Sequence, residues 1–497
     1  MKGDFTRNTY DPRKHYSRVL MQQGRVQLDA DWNEQGAILT HYLRALARDL
    51  IGPHAAPAGS NGLQVVIDPN LIAKYDGSLL KDSIIEGDKK LLLRLGGELK
   101  KGTSFVINPG RYYVEGILIE NRSPMLYSDQ AGFDAQVFGD QKKTPYVIYL
   151  DVWEGHITCV EDPHIREIAL GGPDTTTRLQ IVWQVKTDAH YNSDQPCDLG
   201  GIPKQPGSGL LRARAKQGSP TPEPCVIAPS SSYRGAENQL YRVEIHSGGV
   251  ADGTATGASY VWSRENGSVV LPIANIGAAS TLANGTTQLD VTLASLGRDK
   301  KLGLHSGDWV SVVDDIAVLQ NRADPLLKVM KIDRDTMTVT LQGSTLVGNG
   351  GNHPLLRRWD QKTGVNADGA LPVQESDDSD TGLLDKNWIT LEDGVQIWFA
   401  KGGSYCTGDY WLIPARVANG DIDWPDEIQA DGSVRMLNGS PVTAELSAEG
   451  PRHYYAPLGV FTANANGAPA VNSCLCTVQT VTQCDTGQAA TKKKPHG

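Results

Sequence analysis

The sequence lacks any long run of apolar residues. No stretch approaches the ~18–20 apolar residues that a membrane-spanning helix requires. Residues 1–20, MKGDFTRNTYDPRKHYSRVL, alternate charged and polar residues, whereas a secretory signal needs about 7–15 consecutive apolar residues. We therefore expect a chain that is made and folded in the cytoplasm without a signal peptide and that does not insert into a membrane.

A surplus of positive charge is also missing. The 47 lysines and arginines are outnumbered by 57 aspartates and glutamates, and the formal net charge is −10. Binding to nucleic acid needs a basic face that displaces counterions from the phosphates. The charge balance therefore argues against a nucleic-acid partner.

Cysteine is scarce, with seven residues in 497. They are scattered at Cys159, Cys197, Cys225, Cys406, Cys474, Cys476 and Cys484. This pattern is typical of a reducing compartment and predicts mostly buried thiols. For the group near the end of the chain, three thiols without a nearby histidine fall short of a zinc site, and a disulfide or inert thiols are both open.

Metal-ligand spacing is equally weak elsewhere. His156, Glu161 and His164 lie around Cys159, but no further ligand pair completes a four-coordinate site. The acidic run at 374–380 lacks the glycine and the final glutamate of a calcium-binding loop. We predict no metal and no cofactor.

No catalytic motif is present. The chain has no G-x-S-x-G elbow, no phosphate-binding G-x-x-x-x-G-K-[ST] loop and no H-E-x-x-H pair. Glycoside hydrolysis is harder to exclude, because it needs only two carboxylates whose separation the sequence does not show. We predict a protein that is not an enzyme and has no catalytic residues.

The 53 glycines and 27 prolines indicate many short strands joined by turns. The clearest helix is predicted at residues 29–51, where apolar residues recur at spacings of three and four and Gly52-Pro53 ends the pattern. The predicted fold is mainly β, with several β-sandwich-like or barrel-like domains and one N-terminal amphipathic helix. Strands are predicted across 63–67, 90–95, 104–107, 110–120, 146–154, 178–187, 240–247, 259–264, 268–272, 388–399, 409–416 and 454–463.

At this length the chain is expected to divide into several domains, because single cores stop growing near ~250–300 residues. We predict seven segments. They are an N-terminal docking arm and helix (1–58), a first β domain (59–190), a Pro/Gly-rich linker or arm (191–232), strands of a second domain (233–286), a small inserted barrel of five or six strands (287–345), a C-terminal β domain (346–465) and a cysteine-containing tail with a flexible end (466–497).

Several segments resemble one bacterial family of uncharacterised function, whose genes tend to accompany contractile injection systems and phage-like tails. The similar segments are FTRNTYDP (5–12), MQQGRVQLDADWNE (21–34), YLDVWE (149–154), IRE (165–167), LGGPDT (170–175), VWQV (182–185), YRVEIH (241–246), WSRENGS (262–268) and GDYWLIPAR (408–416). The opening is also similar to that of certain phage tail-fibre and baseplate proteins. The resemblance covers roughly residues 1–465 and implies no catalytic residues.

We therefore expect a structural component of a phage-tail-like particle, such as a fibre, a spike or a baseplate-peripheral protein. It would be a homo-oligomer, with a trimer favoured, bound to other tail or baseplate proteins and found outside the cell after lysis. The docking residues are predicted to be Gly24, Arg25, Trp32, Asn33, Glu34, Leu39, Tyr42, Leu43 and Leu46. The apolar face of the helix is wide enough to join copies of itself as a three-helix bundle, although Gly36 and Thr40 weaken a seven-residue repeat. The face could instead pack on its own β domain, and both alternatives stay open.

Two further hypotheses remain. The first is an adhesin at the particle surface that binds or cleaves carbohydrate, since aromatic rings can stack on sugars. Its candidate residues are Trp398, Tyr405, Tyr410 and Trp424. The second is an effector carried as cargo, which the length of the chain permits.

Overall fold

The fold comes from a computed structural model that describes most of the chain. The described residues are 5–60, 62–72, 85–101, 104–133, 145–189, 194–200, 207–216, 232–251, 257–283, 285–297, 299–343, 351–362, 368–376, 388–437, 439–463 and 469–479. They form two compact units. The first unit comprises Met1–Gly36, Trp153–Val182 and Lys204–His453, and the second comprises Ala37–Val152, Trp183–Pro203 and Tyr454–Gly497.

Strands dominate both units, as predicted. In chain order they are β1 (His54–Pro57), β2 (Val65–Val66), β3 (Val106–Ile107), β4 (Gly110–Val114), β5 (Ile117–Asn121), β6 (Met125–Leu126), β7 (Tyr146–Ile157), β8 (Arg178–Asp188), β9 (Leu210–Ala215), β10 (Gln239–Ser247), β11 (Gly249–Val250), β12 (Ser259–Ser263), β13 (Val270–Ile276), β14 (Ser280–Thr281), β15 (Thr287–Leu293) and β16 (Trp309–Val313). They continue with β17 (Leu327–Asp333), β18 (Thr338–Gly343), β19 (Leu355–Trp359), β20 (Leu371–Pro372), β21 (Glu375–Ser376), β22 (Ile389–Thr390), β23 (Val395–Ala400), β24 (Ser404–Tyr405), β25 (Tyr410–Arg416), β26 (Asp421–Ile422), β27 (Met436–Leu437), β28 (Ser440–Pro441), β29 (Leu446–Ser447), β30 (Tyr454–Ala463), β31 (Pro469–Ser473) and β32 (Thr477–Val478).

Helices are few among the described residues. The α-helices are α1 (Asp29–Ile51), α2 (Ile85–Lys101) and α3 (Asp315–Leu319). Single turns of 3-10 helix lie at Pro12–Lys14, Pro69–Leu71, Tyr127–Asp129, Pro163–Ile165 and Ile168–Leu170. In this described part of the chain, no helix combines the length and the apolar character needed to cross a membrane.

The prediction of α1 at 29–51 is confirmed. After Ile51, the backbone N–H of Gly52 donates to the carbonyl of Arg48 at 2.8 Å, and Gly52 adopts φ +90°. Glycine reaches this left-handed region without a steric cost, and the proline that follows it does not extend a helix.

The predicted strand at 90–95 is wrong, because these residues lie within α2. Leu91, Leu95 and Leu99 recur every four residues and so share one helix face. Leu95 and Leu99 are buried in a small core with Val66, Val106 and Leu126, against which Leu91 also packs. The leucine-rich run can be mistaken for a strand if its four-residue spacing is ignored.

The second unit contains three sheets. Their strand orders are β32-β1-β4-β5, β2-β3-β6 and β31-β30-β7-β8. The main core of this unit consists of Ala56, Leu63, Val65, Phe105, Ile107, Tyr112, Val114, Ile117, Ile119, Tyr127, Tyr146, Ile148, Leu150, Val152, Val185, Ala456 and Leu458. The side chains from several sheets therefore meet in one interior.

A disulfide joins Cys197 to Cys474 within the second unit, across 277 residues of sequence. The expectation of mostly buried, unpaired thiols is wrong for this pair. Cys159, Cys406 and Cys476 are thiols, and Cys476 is exposed. Cys225 and Cys484 lie outside the described residues.

The first unit contains a β-sandwich. One sheet has the order β20-β12-β10-β25-β26, and the other has the order β21-β23-β9-β29 with β22 paired to β23. The core between them includes Leu211, Ala213, Tyr233, Tyr241, Val243, Ile245, Tyr260, Trp262, Val395, Ile397, Phe399, Tyr405, Trp411, Ile413 and Ala415. The central strands have continuous apolar runs because both of their faces are covered.

The first unit also contains the predicted barrel, which is larger than residues 287–345. Its strands follow the order β13-β19-β16-β17-β18-β15, and β15 pairs with β13 to close six strands. A hairpin joins β17 to β18, since Asp333 at the end of β17 pairs with Thr338 at the start of β18. Strands β13 and β19 lie outside the predicted range and complete the ring.

The turn between β4 and β5 makes a close contact with α1. Glu115 and Gly116 form this turn with φ +48° and +78°, the backbone conformation that a two-residue hairpin needs. A Cβ atom on Gly116 would lie 2.4 Å from the carbonyl oxygen of Arg44. Beside this contact, Arg48 and Glu115 form an ion pair at 3.1 Å.

Gly116→Ala is expected to destabilise the second unit. A left-handed alanine alone costs about 1–2 kcal/mol, and the clash with α1 adds to this cost. Gly59→Ala is the matched control, because Gly59 has φ +83° and a Cβ atom there would meet nothing within 4 Å. Chemical denaturation should show a larger loss of stability for Gly116→Ala. Equal losses for the two variants would contradict the close contact with α1.

Candidate assembly surface

The first described residues are anchored in the first unit. The ring of Phe5 lies 5.3 Å from that of His156 and 6.5 Å from that of Tyr410. Asn266 Nδ2 donates a hydrogen bond to the Phe5 carbonyl oxygen at 2.8 Å. The chain therefore enters the N-terminal arm, defined here as residues 5–28, from a fixed point.

Two hydrogen bonds join the arm to the start of α1. Thr9 Oγ1 donates to Glu34 Oε2 at 2.5 Å, and the Val19 backbone N–H donates to Gln35 Oε1 at 2.8 Å. Glu34, one of the predicted docking residues, thus holds the arm of its own chain.

Gly24 and Arg25, two of the predicted docking residues, lie in a turn of the arm. Gly24 has φ +71°, and the Arg25 backbone N–H donates to the Gln22 carbonyl at 3.3 Å. Apolar side chains in this part of the arm are exposed, namely Tyr16, Leu20, Met21, Val26 and Leu28. Val26 is 85% exposed, so the turn presents apolar surface to solvent.

Helix α1 packs on its own chain through one face. Ala30 and Ile38 are buried on this face, with Ile38 fully covered. Arg44 meets the β4–β5 turn there through its backbone. Of the alternatives that the sequence left open for α1, packing within the chain thus applies to this face.

The large apolar residues of α1 lie on the opposite face and are exposed. We call this set the α1 seam. Its exposed fractions are Trp32 71%, Leu39 54%, Tyr42 51%, Leu43 68%, Leu46 58% and Leu50 65%, and exposed Asn33 and Gly36 lie beside them. Clusters of exposed apolar side chains often mark a site of interaction.

Sequence reasoning placed Ile38 on the same apolar face as the leucines, and this is wrong. A seven-residue spacing distinguishes the exposed residues of α1 from Ile38. Trp32, Leu39 and Leu46 are spaced by seven residues, as are Gly36, Leu43 and Leu50. Ile38 falls outside both series. The seven-residue repeat also identifies Gly36 and Leu50, which the predicted docking set omitted.

The predicted carbohydrate-stacking rings do not form an exposed platform. Trp398, Tyr405 and Tyr410 are at most 3% exposed. Trp424 is half-buried, and its Nε1 donates to the Ala444 carbonyl oxygen at 2.9 Å. These rings belong to cores of the first unit, since alternating strands place bulky side chains inside, and the prediction that they form a sugar-binding platform is wrong.

Comparison with protein-family models matches residues 1–197 and 206–496 to a family of unknown function, DUF6519. The chain belongs to this family. No curated protein and no solved structure matches it. The family membership covers nearly the whole chain and assigns no reaction to the DUF6519 fold.

A second candidate site in this DUF6519 chain is a pocket of about 160 Å³ in the first unit. Its lining includes Trp153, His156, Glu244, His246 and Arg357. Arg357 Nη1 and Nη2 donate to the two oxygens of Glu244 at 3.0 and 3.1 Å. The pocket lining therefore includes a buried ion pair.

The titration of the pocket follows from burial and from this pairing. Burial alone would raise the pKa of Glu244, but Arg357 and Arg242 outweigh it and bring the pKa to about 2. Burial lowers the pKa of His246, and Asp368 at 3.9 Å offsets part of that effect. Near neutral pH, Glu244 is thus a paired carboxylate and His246 is uncharged.

The residues weighed as metal ligands do not converge. His156 Nε2 lies 2.9 Å from Thr177 Oγ1, whereas Glu161 accepts from the backbone N–H of Thr158 at 2.8 Å. Cys159 Sγ donates to Asp174. Within the described ranges, no group of three or more His, Cys, Asp or Glu side chains could hold a metal ion.

The first unit is expected to lose stability between pH 7 and pH 5.5. Because the folded pKa of His246 lies below its ordinary value, the unfolded chain takes up a proton near pH 6.5 that the folded chain resists. The charges that face His246 are those of Asp368, Glu244 and Asp324. The lowered pKa of Glu244 affects stability only at lower pH. The stabilisation that ionised Glu244 contributes is lost as the pH falls from about 4.5 towards 2.

Thermal unfolding of His246→Gln measures this effect. The variant should lose less stability than the wild type on acidification from pH 7 to 5.5, whereas exposed His164→Gln should behave like the wild type. His54 in the second unit also has a pKa lowered by burial, so part of the pH dependence should persist. Identical pH dependence in His246→Gln and wild type would contradict the assignment.

Proposed function

We propose that this protein is a non-enzymatic structural component of a phage-tail-like contractile injection particle. Within the particle it acts as a fibre, a spike or a baseplate-peripheral protein. The N-terminal arm docks on neighbouring tail or baseplate proteins, and the chain works as a homo-oligomer, with three copies favoured. It is made in the cytoplasm, joins the particle there and leaves the cell by lysis.

The observation that carries the proposal is the exposed apolar surface of the arm. Leu20, Met21 and Val26 project from a segment whose two ends are held by the first unit and by α1. Burying one such side chain stabilises a complex by about 1.5–3 kcal/mol. A docking role accounts for apolar residues that would otherwise favour aggregation.

The proposal of a phage-tail-like particle rests on the family resemblance. The segments FTRNTYDP and MQQGRVQLDADWNE fall in the arm and the start of α1, and Met21, Val26, Leu28 and Trp32 of the second segment are exposed. Gly24 shapes the turn in this region, and Trp32 begins the exposed face of the helix. The segment MQQGRVQLDADWNE and the exposed apolar residues thus coincide, which supports a docking role for this end of the chain.

We do not carry the carbohydrate-binding alternative forward, since the rings that motivated it are buried or half-buried. The cargo alternative rests on no feature of the described residues. Glu244, the most strongly shifted carboxylate of the pocket, is paired with arginines, which suits a structural role.

Particles from a strain that lacks the gene should be missing a defined feature by electron microscopy. Complementation with the wild-type gene should restore that feature at the same position. Intact particles with no missing feature in the deletion strain would contradict a structural role and would favour a cargo function.

Complementation with Leu20→Asp/Val26→Asp should fail to restore the feature, because charged side chains disfavour burial of the arm. The matched control is Ile168→Asp/Leu170→Asp, which changes two exposed apolar residues elsewhere in the first unit. This control protein should be incorporated normally. Equal incorporation of both double variants would contradict docking through the arm.

A further inference from the structure

The α1 seam has the sequence pattern of a coiled coil. Gly36, Leu43 and Leu50 occupy one position of a seven-residue repeat, and Trp32, Leu39 and Leu46 occupy the position three residues later. These are the a and d positions at which two or more helices interlock. All six residues are exposed, so the pattern lies on the surface of the folded chain.

The rest of the helix leaves the seam free to pair. Ala30, Ala37 and Arg44 fall at the b position, Ile38 and Ala45 at c, on the side of the helix opposite a and d. These residues are buried or partly buried, and this is the side held by the β4–β5 turn. Contacts within the chain and contacts through the seam can therefore exist at the same time.

The charge pattern favours another copy of this chain as the partner. From Trp32 to Leu50, Asp49 at g is the one charged residue among the positions a, d, e and g, while Glu34, Arg44 and Arg48 lie at b or f. Charges at the e and g positions set which helices pair, through attraction or repulsion at the edges of the interface. Copies of α1 therefore meet with like charges only near one end of the seam.

The width of the apolar face favours three helices over two. Besides the a and d positions, Tyr42 at g and Ala47 at e extend the face. A strict a and d stripe suits a two-helix seam, whereas flanking apolar positions are covered when more helices meet. Three identical copies in a closed ring must have parallel helices, because they are related by rotation about one axis.

The neighbouring positions of Trp32 and Gly36 along the seam constrain the register of the copies. A Cβ atom on Gly36 would meet nothing within 4 Å in the isolated chain. In an in-register bundle, the layer formed by Trp32 carries the largest side chains, and the adjacent layer formed by Gly36 carries none. Glycine lowers helix propensity by about 1 kcal/mol relative to alanine, so its presence mid-helix is best explained by room for the neighbouring indole rings.

We propose that three copies of this chain join through the α1 seam as a parallel, in-register coiled coil with Leu39, Leu43, Leu46 and Leu50 in its core. This inference rests on the proposed function for the role of the assembly, but its geometry comes from α1 alone. It specifies the partner, the face and the direction of the helices.

Light scattering at micromolar concentration tests the face. The wild type should have about three times the monomer mass of 53.7 kDa, and Leu39→Gln/Leu46→Gln should fall to one third of the wild-type value. Ile168→Gln/Leu170→Gln, which alters exposed residues outside the seam, should keep the wild-type mass. A monomeric wild type, or a trimeric seam variant, would overturn the proposal.

Folding of the seam variant is checked by its circular dichroism and by the retained β-sheet signal. If the double variant does not fold, Leu43→Ala serves instead, because alanine is a good helix former and shortens only one layer of the seam. It should shift the monomer–trimer equilibrium to higher concentrations. No shift in that equilibrium would count against the seam.

Cross-linking tests direction and register. In a parallel, in-register bundle, Leu46→Cys places the introduced thiols in one layer, so a short bismaleimide should link chains through this residue. An antiparallel pair centred on the seam would set residue 46 opposite residue 36, about 15 Å away along the axis for ten residues. The wild-type chain controls for its own cysteines. Cross-linking no greater than that of the wild type would overturn the parallel register.

The outcomes separate this inference from the proposed function. A trimer that depends on the seam but is absent from particles would refute the proposed function and leave the coiled coil standing. A chain that is monomeric in solution yet decorates particles would refute the coiled coil alone.

Discussion

The two faces of α1 impose the main constraint on this protein. One face is held against its own chain by Ile38 and by the close approach of the β4–β5 turn to Arg44. The other face leaves Trp32 and four leucines in water. Burial of a leucine is worth about 1.5–3 kcal/mol, so the isolated chain forgoes several times this stabilisation. An assembly that covers the seam recovers this stabilisation.

Buried arginines in the first unit are paired with carboxylates. Arg212, Arg242 and Arg357 are almost fully buried, and each donates to a carboxylate. Removing one partner of a buried ion pair costs about 3–5 kcal/mol, because the remaining charge stays desolvated. Arg242 also lies over the ring of Tyr410, with its guanidinium carbon 3.6 Å from the ring centroid. Each pair compensates a buried charge within the first unit.

Much of the fold could be predicted from local patterns. Alternation and turn residues located most of the longer strands, and Gly52-Pro53 marked the end of α1. The leucine-rich part of α2 was misassigned because a short apolar run suits a strand as well as a buried helix face. Closure of the barrel by β13 and β19 depends on long-range pairing, which local periodicity does not reveal. The Cys197–Cys474 pairing likewise depends on tertiary proximity.

The candidate site was predictable in part. The seven-residue spacing of Trp32, Leu39 and Leu46 is visible in the sequence, but only the fold shows that Ile38 is the inward residue and that the leucines face out. The rings at Trp398 and Tyr410 illustrate the opposite case, since residue type suits either a core or a sugar platform and burial decides between them.

Sedimentation equilibrium of the wild-type protein over a concentration series is the sharpest test of a trimer formed through the α1 seam. We expect a mass near three times 53.7 kDa at micromolar concentration that falls towards the monomer on dilution. A mass of one chain at every concentration would contradict the trimer.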